Sequence, residues 1–323
     1  MNKTEQKKCS VPCNLCGSKD IKEVSLVDRE KNYLRTVICK KCGLLWSDPR
    51  PNEAKEYYAH NYRLDYKGSL TPKLKHIFRA GRIAIERRGK ISGCVKKGDI
   101  VLDVGSSGGE FVYLLNKKGC LAEGVEPNIN YANYSVKEYG LQIHIGLAQN
   151  IDLEKEKYDV ITAWHMLEHT ENPYNILLKL KDALKPKGIL IIELPNIAAP
   201  NQSSKHRFHK AHLFNFNYST LENICIKAGY TIKNLNNNTN SELIFVSCQK
   251  NNRLSKKQNG SGGSIPGNYE HITDIFKKQT DWKYYTKSTS FSKFFGKLSR
   301  TLKEQKAIRN LTTGKDILDA LFK

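Results

Sequence analysis

The chain has 323 residues, 39% of them hydrophobic, and its 53 Lys and Arg outweigh 32 Asp and Glu to give a formal net charge of +21. That length allows one full-sized core and a small accessory module, and no run approaches the ~20 apolar residues of a membrane-spanning helix. Met1 to Ser10 is polar and lysine-rich with no apolar run behind it, which does not read as a secretory signal, so a cytoplasmic location is expected. The positive charge suits a nucleic acid or an anionic membrane. Lysine, asparagine and isoleucine recur along the whole chain, however, as composition bias at tolerant surface positions would produce. Nucleic acid is therefore carried only as an alternative partner.

Residues 9–48 hold Cys13-Asn14-Leu15-Cys16-Gly17 and Cys39-Lys40-Lys41-Cys42-Gly43, separated by 22 residues, with β-like runs at Glu23–Val27 and Leu34–Ile38. Each Cys-x-x-Cys turn supplies two thiolates to a tetrahedral zinc ion, and the glycine relaxes the backbone behind it. Four sulfur ligands close the site, so Cys13, Cys16, Cys39 and Cys42 are expected to hold a structural zinc. Of nine cysteines, Cys9 is an extra thiol nearby, and Cys94, Cys120, Cys225 and Cys248 read as core thiols. Residues 49–98 are a connecting segment with Pro49, Pro51 and four tyrosines (57, 58, 62 and 66), then a basic helix over Pro72–Ile91.

From 99 to 249 strand and helix alternate, the pattern of a doubly wound α/β domain with a seven-stranded, mostly parallel sheet. The expected strands are Asp99–Val104, Leu121–Val125, Gln142–Ile145, Tyr158–Trp164, Gly188–Leu194, Tyr230–Leu235 and Glu242–Cys248. Helices fit at Glu110–Lys118, Asn128–Tyr139, Pro173–Leu184 and Thr220–Ala228, and Gly119, Gly140, Gly188 and Gly229 act as stop signals. The short polar run 236–241 joins the last two strands as a hairpin, so the final strand is expected to be antiparallel. Residues 250–268, with four glycines, read as a flexible linker. Residues 269–323 read as a basic helical tail. There Phe291, Phe294, Phe295, Leu298 and Leu302 recur at helical spacing among Lys293, Lys297, Arg300 and Lys303. Such a stripe suits peripheral contact with the inner face of a membrane, or packing on the main domain.

The strand Ile100–Val104 runs into Gly105-Ser106-Ser107-Gly108-Gly109, and Glu126 ends the next strand. An acid about 20 residues past the first glycine is placed to grip a ribose diol. A dinucleotide would want Gly-x-Gly-x-x-Gly and a pyrophosphate at the helix N-terminus. Here Asp103 stands beside the turn, where a carboxylate repels a pyrophosphate but organises an ammonium. A sulfonium amino-acid nucleoside fits better than a dinucleotide.

These segments, with Gly124-Val125-Glu126-Pro127, Tyr158-Asp159-Val160, Met166-Leu167-Glu168-His169 and Leu184-Lys185-Pro186-Lys187-Gly188, resemble the successive motifs of class I S-adenosylmethionine-dependent methyltransferases. The branch is the one that includes ubiquinone-type O-methyltransferases, and the similarity covers about Pro72 to Gln249. Ser107 and Lys187 depart from the common pattern without touching the chemistry. The resemblance implies that Asp103, Gly105 and Gly109 line the methionine moiety and that Glu126 holds the ribose. It places Ala148 or Gln149 at the adenine, and Trp164 and His165 at the pocket mouth. The cysteine module together with Leu44-Leu45-Trp46-Ser47-Asp48-Pro49-Arg50-Pro51 resembles the N-terminal region of bacterial methyltransferases of sugar and cell-envelope biosynthesis.

His165-Met166-Leu167-Glu168-His169 also matches the inverted zinc-peptidase motif His-x-x-Glu-His. A peptidase carries that motif inside a long helix, whereas here it follows a strand. At a strand end it faces the transferred methyl, and His169 or His165 is a candidate general base. Related methyltransferases often carry Glu where His165 stands, and some bind a divalent cation through such a set and a further histidine. His165, Glu168, His169 and His212 form the candidate second metal set here, with hydrogen-bonded stabilisation of the loop as the alternative role. The function expected is methyl transfer from S-adenosylmethionine to a small molecule, most simply O-methylation of a saccharide or cell-envelope intermediate. The alternatives are an RNA methyltransferase, a sugar C-methyltransferase and an inactive zinc-bearing scaffold.

Overall fold

The computed structural model describes residues 11–49, 69–200, 207–236, 241–251, 263–279 and 304–323. Three short strands come first: β1 (Ile21–Val27), β2 (Tyr33–Cys39) and β3 (Leu45–Ser47). Helix α1 (Leu74–Lys90) leads into β4 (Ile100–Val104), α2 (Glu110–Lys117), β5 (Leu121–Glu126), α3 (Ile129–Tyr139) and β6 (Ile143–Ile145). The chain continues through β7 (Tyr158–Trp164), a 3-10 turn (Leu167–His169), α4 (Pro173–Ala183), β8 (Leu184–Pro195), β9 (Phe214–Asn215), α5 (Tyr218–Lys227), β10 (Tyr230–Leu235) and β11 (Leu243–Lys250). Helices α6 (Asn268–Lys278) and α7 (Gly314–Leu321) follow.

The main sheet has seven strands in the order β10-β11-β8-β7-β4-β5-β6. β6, β5, β4, β7 and β8 run parallel, and β11 is antiparallel to β8 and β10, as the hairpin expectation required. Parallel strands covered on both faces need continuous apolar runs, and Val101, Leu102, Val104, Ile161 and Ala163 are all buried. Helices α1, α2 and α7 share one apolar cluster against the sheet, while α4 and α5 share the other. The chain winds outward from β4 to β6 and then crosses back to β7. The C-terminal ends of β4 and β7 therefore border the crevice where ligands bind in such sheets.

Most boundaries agree with expectation to within two residues. β8 differs, beginning at Leu184 instead of Gly188. Leu184 pairs with Tyr158 across a register shift, and Lys187 at φ 66° absorbs the stretch read as a turn. Helix α5 starts two residues early because Asn217 caps it, exchanging hydrogen bonds with Thr220.

β9 lies outside the expected set. It pairs with β3, so that the small sheet runs β1-β2-β3-β9 and takes its fourth strand from the main domain. The linker assignment of 250–268 needs correction at its C-terminal end. Ile265 N donates to Lys41 O at 3.0 Å, and Asn268 Nδ2 donates to Cys42 O at 2.8 Å. Asn268 Oδ1 accepts from Asn217 Nδ2 at 2.6 Å, so one buried amide joins the cysteine module to the cap of α5. A Cβ on Gly43, at φ 75°, would stand 2.4 Å from that same Nδ2, which leaves glycine as the residue that fits. Helix α6 then buries Ile272 against Ile38, Leu45 and Phe208. At the chain's end, α7 packs on α1 at Gly81, where a Cβ would stand 2.8 Å from Leu318 and Leu321. Arg79 adds a two-pronged ion pair to Glu304 at 2.8 and 2.6 Å. The described parts of the tail thus pack on the two domains, and the stripe from Phe291 to Leu302 lies outside the described residues. Among the described residues no helix is long and apolar enough to cross a membrane.

Candidate active site

A cavity of about 490 Å³ opens at the C-terminal ends of the parallel strands. Asp103, Gly105, Glu126, Ala148, Gln149, Trp164, His165, Glu168, His169 and His212 all line it. Gly109 does not. It is the left-handed N-cap of α2, and a Cβ there would strike Leu141 at 2.7 Å and Ser135 at 2.9 Å. Its place in the glycine run comes from helix packing, and the wall is made by Ser106 and Ser107 instead.

The carboxylate of Glu126 is fixed by its own neighbourhood. Oε2 accepts from Ser107 N at 2.8 Å and Oε1 from Asn128 N at 3.1 Å. Asp103, buried at the tip of β4, accepts from Thr162 Oγ1 at 2.6 Å. Burial pushes its carboxyl up to about 6, against the pull of Thr162 and the Arg87 guanidinium. Gly105 sits at φ 83°, and a Cβ on it would come within 3.3 Å of Met166 Cγ. A ligand can reach the backbone there. Lys179 Nζ donates to Gln149 O at 2.8 Å and steadies the loop after β6. These groups offer a buried acid for an ammonium, an oriented acid for a diol and an apolar wall at Ala148. The residues present fit S-adenosylmethionine.

Arg87 was not singled out by the sequence, because it is one basic residue among many on α1. With Ala80 and Ile83 it projects one face of α1 over the cavity. Its guanidinium lies 4.8 Å from the Trp164 ring centroid, and its buried Nε has no hydrogen-bond partner among the described residues. A ligand carboxylate would satisfy it.

The His-x-x-Glu-His segment is no long helix. It spans the end of β7 and a three-residue 3-10 turn, which removes the peptidase geometry. His165 has φ 52°, with its N–H held by Glu193 O at 2.7 Å. This left-handed residue turns the chain from the strand towards the cavity, at a cost of about 1–3 kcal/mol. His165 Nδ1 stands 3.6 Å from Glu168 Oε1, beyond hydrogen-bond reach but within charge attraction. His169 Nδ1 donates to Ala211 O at 2.7 Å, which leaves the ring lone pair on Nε2.

Glu168 is buried, and neither of its oxygens has a hydrogen-bond partner among the described residues. Burial alone would raise its pKa, but His165, His169 and His212 overcome that and hold it near 2. His212 is pushed down to about 3 by burial, then by His169. An ionised carboxylate with a neutral imidazole beside it is what a divalent cation requires. Ligand atoms of Glu168, His169 and His212 lie within 4.8 Å of one another, so three of the four expected residues form one group, and His165, 3.6 Å from Glu168, falls outside it. The unpartnered Glu168 oxygens suit a cation. His209 was missed, although its spacing of three from His212 was a signal. It lines the same wall, and burial followed by Arg29 pushes it down to about 4. Arg29 reaches the wall from the turn between β1 and β2, with no cue in the sequence.

Away from the cavity, Cys13, Cys16, Cys39 and Cys42 converge, with Sγ···Sγ distances of 3.5 Å (Cys13–Cys42) and 3.4 Å (Cys16–Cys39). Gly17 and Gly43 close the two knuckles with N–H bonds of 2.8 Å to Cys13 O and Cys39 O. Four converging sulfurs fit zinc.

The profile of a methyltransferase domain family matches residues 75–240. Among curated proteins, a ubiquinone biosynthesis O-methyltransferase of Histophilus somni is 34% identical over 106 residues, covering 30% of this chain and 44% of its own. A protein of the same name from Actinobacillus pleuropneumoniae serotype 7 is 28% identical over 167 residues, covering 49% and 62%. The chain spans about half the length of the curated relatives it matches. Among solved structures, an S-adenosylmethionine-dependent methyltransferase of Mesorhizobium loti aligns with TM-score 0.43 and 12% identity over 50% of this chain and 96% of its own. Phosphoethanolamine N-methyltransferase 2 of Haemonchus contortus aligns with TM-score 0.48 and 13% identity over 64% and 63%.

Proposed function

The chain belongs to the methyltransferase domain family, and on that premise we propose that it methylates a hydroxyl oxygen of a small molecule, a saccharide or cell-envelope intermediate being the class expected. Bound S-adenosylmethionine supplies a methyl group activated on a sulfonium. The protein then has two tasks, to align the acceptor and to take one proton. Asp103 holds the ammonium and Glu126 the ribose, while Ala148, Trp164 and the α1 face exclude water. On the acceptor side Glu168, His169 and His212 would hold a divalent cation, which would supply acidification of a bound hydroxyl, and His165 is the base placed to take the acceptor's proton. The observation that carries this reading is Glu168, a buried side chain whose oxygens have no hydrogen-bond partner among the described residues, clustered with His169 and His212 in one cavity with Asp103 and Glu126.

The test is release of S-adenosylhomocysteine across a panel of sugars, sugar nucleotides and catechols, with and without Mn2+. Turnover should need the cation and fall about 100- to 1,000-fold in Glu168→Gln and His169→Asn, with S-adenosylhomocysteine affinity kept. Full turnover in both variants would discard the acceptor-side assignment. Turnover on RNA with steep salt dependence, and none on the panel, would replace the small-molecule class.

A pH dependence follows from Asp103. With its carboxyl at about 6, ligand binding on the acid side requires loss of a proton before the ammonium can pair. S-adenosylhomocysteine affinity should therefore be flat above pH 7 and fall by about tenfold per unit below pH ~6. Calorimetry across pH 5–8 checks this, and Asp103→Asn should bind more weakly with no inflexion. An inflexion that survives in Asp103→Asn would assign the titration elsewhere.

A further inference from the structure

The wall that carries His209 and His212 is not built by the main sheet alone. Residues 207–216 bridge β8 and α5, and the small sheet grips them at both ends. At the first end, Arg29 N donates to Phe208 O at 2.8 Å. That turn is itself rigid, because Asp28 Oδ1 accepts from Glu30 N at 2.8 Å and Asn32 N at 2.9 Å. At the other end, Leu45 and Trp46 pair with Asn215 and Phe214. Ser47 N donates to Leu213 O at 3.0 Å, and Ser47 Oγ donates to His212 O at 3.4 Å. Between the two grips lie His209, His212 and Ala211, whose carbonyl orients His169. β2 ends on Cys39, and β3 begins three residues past Cys42. The elements that grip the histidine segment are therefore tied directly to the cysteine knuckles.

We propose that the cysteine module is a positioning element for the acceptor side, so that the zinc-dependent fold of residues 11–49 sets the placement of His212 and, through Ala211, of His169. This rests on reading Glu168, His169 and His212 as the acceptor-side set. On the cofactor side, Asp103 and Glu126 accept hydrogen bonds from Thr162, Ser107 and Asn128, all of them in the main domain. Loss of zinc should then disorganise one half of the cavity and spare the other.

The test uses the full chain under reducing conditions in three forms: zinc-loaded, chelator-stripped, and Cys16→Ser. Three readouts are followed: calorimetric affinity for S-adenosylhomocysteine, Mn2+ affinity by electron paramagnetic resonance, and backbone hydrogen exchange in peptides covering 207–216. In the zinc-free forms, exchange in 207–216 should accelerate and Mn2+ affinity should fall about tenfold or more. S-adenosylhomocysteine affinity should stay within about twofold, and added zinc should restore the stripped protein. Unchanged exchange in 207–216 after zinc loss overturns the proposal. Parallel loss of S-adenosylhomocysteine binding also overturns it, because the module would then support the whole domain. If the zinc-loaded protein binds no Mn2+, the cation-assisted reading fails, and the exchange result alone decides the positioning role.

Discussion

Glu126→Ala should bind S-adenosylhomocysteine about 100-fold or more weakly than the parent chain. Two ribose hydroxyls donating to one carboxylate are worth about 1.5–3 kcal/mol each, and each 1.4 kcal/mol is about tenfold in affinity. The variant also frees the N–H groups of Ser107 and Asn128, which now point at the two carboxylate oxygens. That detail makes the neutral isostere informative. In Glu126→Gln the amide NH2 must face one of two N–H donors whichever way it turns, so Gln should lose nearly as much as Ala. Calorimetry on both variants, with circular dichroism to show the sheet intact, checks this. An affinity within a few fold of the parent in Glu126→Ala would remove the ribose from this carboxylate and with it the proposed cofactor orientation.

The main domain was legible because its signals are local and repeated. The apolar runs at 100–104 and 158–164 are long enough to be strands buried on both faces. The helices between them carry their own caps, such as Asn128 accepting from Tyr131 N and Asn172 from Asn175 N. The glycine turn and the two acids follow from the same order, since strand ends on one edge of a parallel sheet must converge. What escaped notice depends on contacts between residues far apart in sequence. β9 is two residues long and has no periodicity to detect, and it is a strand only because β3 meets it. Asn268 lies in a glycine-rich stretch with the composition of a linker, yet its side chain satisfies Cys42 O and Asn217.

The acceptor side was legible by residue type more than by geometry. The motif at 165–169 offered His165, Glu168 and His169, with His212, as one candidate metal set. The left-handed turn at His165 instead leaves its ring 3.6 Å from Glu168 but outside the group that Glu168 forms with His169 and His212. Sequence spacing also gave no means of distinguishing Gly109, which packs against α3, from Gly105, which borders the cavity. Arg87 and Arg29 come from outside the strand ends, one from a roof helix and one from the cysteine module. Only the packing of those elements on the sheet brings either to the site.

Zinc removal should have the largest effect on stability, confined at first to residues 11–49. A segment of this size is too small to sustain a core of its own, and a structural zinc supplies of the order of 10 kcal/mol to such a fold. The module is not isolated, however. Leu15, Val37 and Trp46 join the same apolar cluster as Phe214, Leu221 and Ile224, and Ile38 and Leu45 pack with Ile272. Docking therefore offsets part of the loss, and the main sheet, with its own strand pairing and helices, should survive. Chelation under reducing conditions, or Cys39→Ala, should open the module to protease between Val11 and Ser47 at temperatures where the parent resists. Cleavage within 99–200 should not rise. Reductant is needed because Sγ atoms 3.4–3.5 Å apart in the two pairs would otherwise oxidise and mimic the metal. A stripped module that resists protease as well as the loaded one would mean that docking supplies the stability, and the structural-zinc assignment would fall.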